Sequence, residues 1–413
     1  MLLRLVDMTS SFETETSPRT AIVVGGGPAG LVAAGRLAEG GVATTLLEAG
    51  AGLGGRAASE RRAGFDLNQG PHALYVGGPA MRELRAMEID LPRWNPTSPR
   101  SVFLRGGKPT RLPGGGLALP RWLLSVGRSR PEDLGELSVA EWLRRTLRSE
   151  GARAAAAALV RVTTFVDDHD ALSADVAATQ LKIGMLPGVR YLKGGWQSLV
   201  DALADRAQRS GAALRTRAAV RALHRGPGGW EVTLDEETLR ADILVVAAGG
   251  PDAFAKLLED RSPARLGPAA ELSVLDLGLE SLPREGRRFA LGIDVPTYLS
   301  RHSPPDHRGG VLLSLASYAR QPREQLEAMA DTVQPGWRER TTLQRFLPRM
   351  VAVSSIPSPV DGGLAGRPAI ERGEGLYLAG DWLGPEGWLS DAAISSGAAA
   401  AAAALRSPVA APV

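Results

Sequence analysis

Six residues near the start of the chain limit its fold more than any others: Gly25-Gly26-Gly27-Pro28-Ala29-Gly30. They follow the apolar run Ala21-Ile22-Val23-Val24, which reads as a buried parallel strand. They precede a stretch to Glu39 with Leu31, Ala34, Leu37 and Ala38 at helical spacing. Gly-x-Gly-x-x-Gly at a strand-to-helix junction aims backbone N–H groups and a helix N-terminus at one point, where a diphosphate can sit. Gly25 permits the tight turn, Gly27 lets the backbone approach a phosphate, and Gly30 lets the helix lie close to the sheet. A second strand, Ala43 to Leu47, ends at Glu48, 18 residues beyond Gly30. A carboxylate there accepts hydrogen bonds from a ribose diol and repels a 2′-phosphate. Each feature alone also fits a ligand-free turn or a solvated glutamate; in this order they predict a βαβ dinucleotide-binding unit.

Further blocks follow. Gly54-Gly55-Arg56 comes directly after the second strand and begins a segment reaching Gly64-Phe65-Asp66-Leu67-Asn68-Gln69-Gly70-Pro71-His72. Far downstream, Leu192-Lys193-Gly194-Gly195-Trp196 leads into an amphipathic helix and then a strand to Val220. Gly375-Leu376-Tyr377-Leu378-Ala379-Gly380-Asp381 precedes a helix opening near Ser390-Asp391-Ala392-Ala393 and passing Gly397. In this order the blocks resemble the amine oxidase and phytoene desaturase superfamily of flavoproteins.

The resemblance implies FAD, held non-covalently because the chain has no cysteine to tether it. It places Gly25, Gly27, Pro28, Ala29 and Gly30 at the diphosphate, Glu48 with Ala49 at the ribose, and the Val220 backbone at the adenine. Gly54, Gly55 and Arg56 would line the diphosphate and approach the flavin, as would the loop carrying Gly70, Pro71 and His72. Gly380 and Asp381 would bind the ribityl chain. Leu389, Ala392 and Ala393 would belong to the helix start whose positive end faces the flavin N1/O2 edge.

The fold class expected is α/β: a Rossmann-like FAD-binding domain of the amine-oxidase type, interleaved with an α+β substrate domain. The FAD-binding part takes 20–82, 191–270 and 356–406, the substrate part 83–190 and 271–355, with a disordered leader at 1–19 and a tail at 407–413. Helices are expected over Val139 to Leu147, Gly151 to Phe165, Trp196 to Arg209 and Pro322 to Asp331. Strands are expected over Ala213 to Leu223, Trp230 to Leu234, Asp242 to Ala248, Leu275 to Leu279, Leu312 to Ser317 and Met350 to Ser354.

The chemistry implied is two-electron oxidation of a small organic substrate by hydride transfer to flavin N5. Two departures from the amine oxidases favour an apolar substrate that is dehydrogenated at a C–C bond. Those enzymes commonly place a lysine by N5, yet no lysine follows Lys256; and Leu389, with Trp388 adjacent, stands where an aromatic cage wall would be. An amine or amino-acid oxidase releasing hydrogen peroxide, and a redox-neutral isomerase, remain the alternatives. No second Gly-rich βαβ unit is visible for a nicotinamide, so electrons come from the substrate and leave to oxygen or a quinone. His72 is the catalytic candidate, weighed against a structural histidine. Asp167-Asp168-His169-Asp170 reads as a solvated turn rather than a metal site, and no metal is expected. His302 and His307, in a Pro-rich loop, read as surface.

Composition closes off other classes. The 48 basic and 45 acidic residues leave a formal charge of only +3, and no basic run is interleaved with aromatics, so nucleic acid is not an expected partner. The absence of cysteine removes disulfides, thiolate nucleophiles and iron–sulfur clusters, and the cytoplasm is the expected compartment. The segment from Arg121-Trp122-Leu123-Leu124 to Arg130 fits either a helix with an Arg-rich solvent face or a peripheral membrane contact.

Overall fold

The computed structural model describes residues 19–96, 98, 100–110, 117–185, 188–259 and 266–407. The expected leader and tail, Arg19 and Ser407 apart, lie outside the described residues. The chain enters through β1 (Thr20–Val24), α1 (Pro28–Glu39) and β2 (Ala43–Leu47). A hairpin of β3 (Ser59–Arg62) and β4 (Phe65–Asn68) leads to β5 (Leu74–Tyr75), α2 (Pro79–Ala86), β6 (Arg93–Trp94), β7 (Val102–Arg105) and β8 (Lys108–Thr110). Four helices follow: α3 (Ala118–Arg128), α4 (Val139–Thr146), α5 (Glu150–Thr164) and α6 (Ala174–Met185). After β9 (Val189–Leu192) come α7 (Gln197–Arg209), β10 (Ala213–Arg215), β11 (Ala222–Gly226), β12 (Gly229–Thr233), β13 (Thr238–Ala241), β14 (Ile243–Val246) and α8 (Pro251–Leu258). The next group is β15 (Ala270–Leu279), β16 (Phe289–Gly292), β17 (Thr297–Arg301), β18 (Val311–Ser317), α9 (Arg323–Val333) and β19 (Thr341–Val353). Last are β20 (Glu371–Gly373), β21 (Leu376–Leu378) and α10 (Ser390–Arg406).

The first sheet runs β10-β2-β1-β14-β21-β20, parallel except for β20. Its central strand β14 is Ile-Leu-Val-Val, buried at every position, because helices cover one face and the antiparallel β11-β12-β13 sheet covers the other. Helices α1, α2, α7 and α10 pack on one side through residues such as Leu31, Leu37, Leu84 and Leu203. A Cβ on Gly397 would lie 2.2 Å from the Ala29 carbonyl oxygen, so α10 can lie this close to the start of α1 only through a glycine.

The second sheet runs β19-β15-β18-β17-β16-β7-β8. Alternation along β15 sends Leu275 and Leu277 toward α9 and Trp337, and Leu272 and Val274 to the opposite face with Tyr298 and Tyr318. Helices α3 to α6 form a separate cluster around Trp122, Trp142 and Trp388.

Three local differences from the sequence reading have physical causes. The strand expected from Ala213 to Leu223 is broken: Arg217 has φ +53°, and the amides of Arg217 and Ala218 donate to the Gly50 and Glu48 carbonyls, both at 2.9 Å. The chain there follows the end of β2, which brings Val220 inward. The junction drawn between residues 82 and 83 falls inside α2, whose Met81 and Leu84 share one core with Ile89 and Leu91 and with the helices on the first sheet. Arg19, assigned to the leader, donates to the Ala404 and Ser407 carbonyls at the end of α10. Among the described residues no helix is long and apolar enough to cross a membrane.

Candidate active site

A cavity of about 500 Å³ opens where the central strands end. Val24 of β1, Leu47 of β2, Ala247 after β14 and Gly380 after β21 all line it, the position at which open parallel sheets bind ligands. Of the residues expected at a cofactor, Gly25, Gly27, Pro28, Ala29, Glu48 and Ala49 line one part of its wall, with Val220. Gly55, Arg56, Pro71, His72, Gly380, Asp381, Leu389 and Ala393 line the rest.

Gly30, Gly54, Gly70 and Ala392 stand behind that wall. Gly30 is pressed on the turn, where a Cβ would come within 1.9 Å of the Gly25 carbonyl oxygen. The Gly54 amide donates to the Gly26 carbonyl at 2.8 Å. The Gly70 carbonyl lies 2.9 Å from His72 Nδ1, and Ala392 is fully buried.

The turn itself is held from below. Glu48 Oε2 accepts from the Gly26 amide at 2.7 Å and Oε1 from the Gly50 amide at 2.6 Å. Helix α1 starts with Pro28 at its first position and no side-chain cap, and Gly27 is extended. Its first-turn donors are left for a ligand, and a phosphate is the group such a terminus holds best. Uncapped helix end, glycine turn, acidic strand end and cavity size together fit FAD.

Asp381 is the most heavily bonded side chain in the wall. Its Oδ1 accepts from Arg56 Nη2 at 2.8 Å and Ser354 Oγ at 2.9 Å; its Oδ2 accepts from Arg56 Nη1 and the Ser354 amide, both at 2.8 Å. Burial works to raise this carboxyl, but the Arg56 charge and these bonds outweigh it and hold it below the usual carboxylate range. Beneath it, buried Arg367 donates to the Asp381 carbonyl at 3.2 Å and the Gly387 carbonyl at 3.0 Å. Burial pushes the Arg367 guanidinium down to about 10, still charged at neutral pH. No sequence pattern marked Arg367 or Ser354.

The other end of the cavity is formed by His72, Tyr75, Phe165, Trp196, Met350 and Leu389. Burial lowers the His72 pKa, which keeps the ring neutral at pH 7. Nδ1 lies 2.9 Å from the Gly70 carbonyl, and the Arg56 backbone is a second hydrogen-bonding neighbour of the ring. The ring packs on Trp196 at 4.9 Å between centroids. Trp388 is turned out of the cavity: it is fully buried and its Nε1 donates to the Thr164 carbonyl at 2.9 Å, so Leu389, with φ +55°, forms the wall. Tyr75, Phe165 and Met350 gave no signal in the sequence, because each arrives from a different segment. Phe165 does so through a left-handed C-cap of α5 with φ 62°.

The two histidines read as surface are half-buried. His302 stacks on Tyr191 at 4.5 Å and meets the Tyr298 hydroxyl through Nε2 at 3.3 Å; burial pushes its pKa down to about 3. His307 packs on Phe65 at 5.4 Å between centroids. In the Asp167–Asp170 turn, Asp167 pairs with Arg161 at 3.3 Å and Asp168 caps the Ala171 amide at 3.0 Å. Among the described residues no group of three or more His, Cys, Asp and Glu side chains could hold a metal.

This geometry can be set beside known proteins. The model of the flavin-containing amine oxidoreductases matches residues 28–278. The fold is similar to that of cyclohexylamine oxidase from Brevibacterium oxydans, with a TM-score of 0.74, 17% identity and coverage of 94% of this chain and 99% of that one. Putrescine oxidase, solved with putrescine bound, gives a TM-score of 0.71 at 16% identity over 94% and 98% of the two chains. A putative protoporphyrinogen oxidase from Exiguobacterium gives 0.67 at 18% identity over 94% and 99%. Identities this low carry the fold, while the family model covers more than half of the chain, and with the cavity described above the assignment follows: the protein belongs to the flavin-containing amine oxidoreductase family and is an FAD-dependent oxidoreductase.

Proposed function

We propose that the enzyme dehydrogenates an apolar small organic molecule at a C–C bond. FAD held in the cavity would supply the two-electron acceptor, with N5 as the site for a hydride. The observation that carries this reading is the lining of the cavity away from Glu48 and Arg56: Tyr75, Phe165, Trp196, Met350 and Leu389 with neutral His72, and, among the described residues, no carboxylate at that end to pair with an ammonium group. His72 is the group proposed to take the proton released from the carbon next to the hydride donor. The residues proposed to hold FAD are those of the cavity wall with the four glycine and alanine positions behind it. We place the division between the cofactor part and the substrate part after Leu91 rather than inside α2.

Oxygen or a quinone is the proposed acceptor and the cytoplasm the proposed compartment. Peripheral membrane contact is proposed for α3, where Leu117 and Leu124, each 61% exposed, share the outer face with Arg121 and Arg128 while Leu119, Trp122 and Val126 are buried. Between Asp90 and Glu132 the sequence carries only cationic charges, which suits an anionic lipid surface.

The test is anaerobic mixing of FAD-loaded enzyme with an isoprenoid polyene, with cyclohexylamine, with putrescine and with NADPH, following flavin absorbance. Bleaching by the polyene alone is expected. Bleaching by an amine would move the assignment to amine oxidation, the reading that the family model favours, and bleaching by NADPH within seconds would overturn the substrate as electron donor.

A further inference from the structure

Four of the five tyrosines have a partner for the hydroxyl. Tyr75 donates to the Thr163 carbonyl at 3.0 Å, Tyr191 shares bonds with the Tyr298 and Ser300 hydroxyls, both at 3.1 Å, and Tyr377 meets the Ser407 hydroxyl at 2.7 Å. Tyr318 is the exception: it is buried and, among the described residues, its hydroxyl has no partner. A buried hydroxyl left unpaired costs free energy, which a ligand able to pair with it recovers on binding. Burial holds this hydroxyl above its usual pKa, so it keeps its hydrogen and remains a donor.

Tyr318 stands directly behind the cavity wall. Phe165, which lines the cavity, meets the Tyr318 ring edge-on at 6.0 Å between centroids, and Met350 and Ala352 of the same wall share an apolar cluster with it. Phe165 holds φ 62°, a left-handed conformation that a phenylalanine adopts only at a cost. Tyr318 also lies within the field of Arg161, whose Nε–H is likewise buried without a partner. The charge of Arg161 is answered by Asp167 at 3.3 Å, and its Nη2 donates to the Gly292 and Ile293 carbonyls. Behind Phe165 there are therefore two unspent donors and a charge already paired, among apolar neighbours such as Leu272, Val274 and Leu291.

We propose that the substrate carries one neutral oxygen acceptor, a carbonyl on an otherwise apolar skeleton, and that the Tyr318 hydroxyl binds it once the Phe165 side chain turns aside. The Arg161 Nε–H suits the second lone pair of the same oxygen. An ammonium group would bring more donors to a place that already has two without acceptors. The inference deepens the proposed dehydrogenation of an apolar molecule and rests on that reading.

The experiment titrates oxidised, FAD-loaded enzyme with three compounds of one skeleton, benzylacetone, butylbenzene and phenylbutylamine, and reads the flavin difference spectrum in wild type, Tyr318→Phe and Phe165→Leu. Wild type is expected to bind the ketone about tenfold more tightly than the hydrocarbon, and in Tyr318→Phe that preference should shrink below about twofold while butylbenzene affinity holds. Phe165→Leu should strengthen the ketone more than the hydrocarbon, and it decides the matter should Tyr318→Phe fail to fold. Thermal melts give an independent reading. A hydroxyl with no internal partner loses no bond on replacement by phenylalanine, so Tyr318→Phe should melt no lower than wild type. Equal affinity of wild type for ketone and hydrocarbon, a preference that survives in Tyr318→Phe, or a lowered melt in that variant would overturn the proposal and leave the apolar reading standing. A flavin response to phenylbutylamine alone, or to none of the three, would sink the apolar reading itself and this inference with it.

Discussion

Glu48 Oε2 accepts a hydrogen bond from the Gly26 amide at 2.7 Å, so the acidic strand end and the glycine turn form one unit before any ligand arrives. The carboxylate therefore has a task besides the ribose contact proposed for it: it ties the turn at the mouth of α1 to the end of β2. Glu48→Ala is expected to weaken FAD by about 1 to 3 kcal/mol, the cost of losing charge-assisted hydrogen bonds. Glu48→Gln, which still accepts from one amide, should fall between that variant and wild type when apoprotein is titrated with FAD and quenching of flavin fluorescence is followed. Unchanged affinity in Glu48→Ala would remove the residue from the site.

The contact of α10 with α1 gives a second expectation. A methyl group at position 397 would meet the Ala29 carbonyl, which is backbone and cannot move aside alone. Gly397→Ala should lower apoprotein stability by roughly 1 to 3 kcal/mol through overpacking, and FAD affinity should fall with it because the start of α1 is displaced. Thermal unfolding of the apoprotein beside FAD titration checks both, and an unshifted melt would show that the helices part without cost.

Asp391 gives the clearest pH dependence. It is 1% exposed, its Oδ1 accepts from the Ala80 amide at 2.9 Å, and its Oδ2 is buried without a partner. Burial pushes this carboxyl up to about 7. The native state thus binds the proton more tightly than the unfolded chain, whose aspartates titrate near ~3.9. The stability this supplies is fully present below about pH 4 and is lost as pH rises through about 7. Apoprotein melts between pH 5 and 8 should show the decline, and Asp391→Asn, which still accepts from Ala80, should flatten it. An identical slope in the variant would place the titration elsewhere.

For α3, replacing Leu117 and Leu124 with serine should reduce co-sedimentation with anionic phosphatidylserine vesicles. The loss should be greatest at high salt, where the arginine contribution is screened and apolar insertion must hold the protein. Wild type that fails to sediment with these vesicles at low salt would end the membrane reading.

Much of the cofactor half could be read from the chain because its signals are local. The run Ala21–Val24, the glycines and Glu48 lie within one βαβ unit, and period and spacing suffice to place them. The substrate end could not be read this way. Tyr75, Phe165 and Met350 converge only through tertiary packing, and His302 looks like a surface residue from Ser303-Pro304-Pro305-Asp306 beside it. It is half-buried because Tyr191, from a distant strand, stacks on it. Asp381 shows a different limit. The motif located the residue, but only coordinates reveal its pairing with Arg56 and Ser354.

The joining of Arg56 to Asp381 across 325 positions makes one wall of the cavity depend on both ends of the chain. A nascent chain paused before Gly375 possesses β1, β2 and β14 but lacks β21, the turn after it and the helix that closes over α1. Its glycine turn would face water across an unfinished sheet, with Arg56 unrestrained. The complete cavity wall therefore exists only once the chain as far as Ala393 has folded onto β14 and α1.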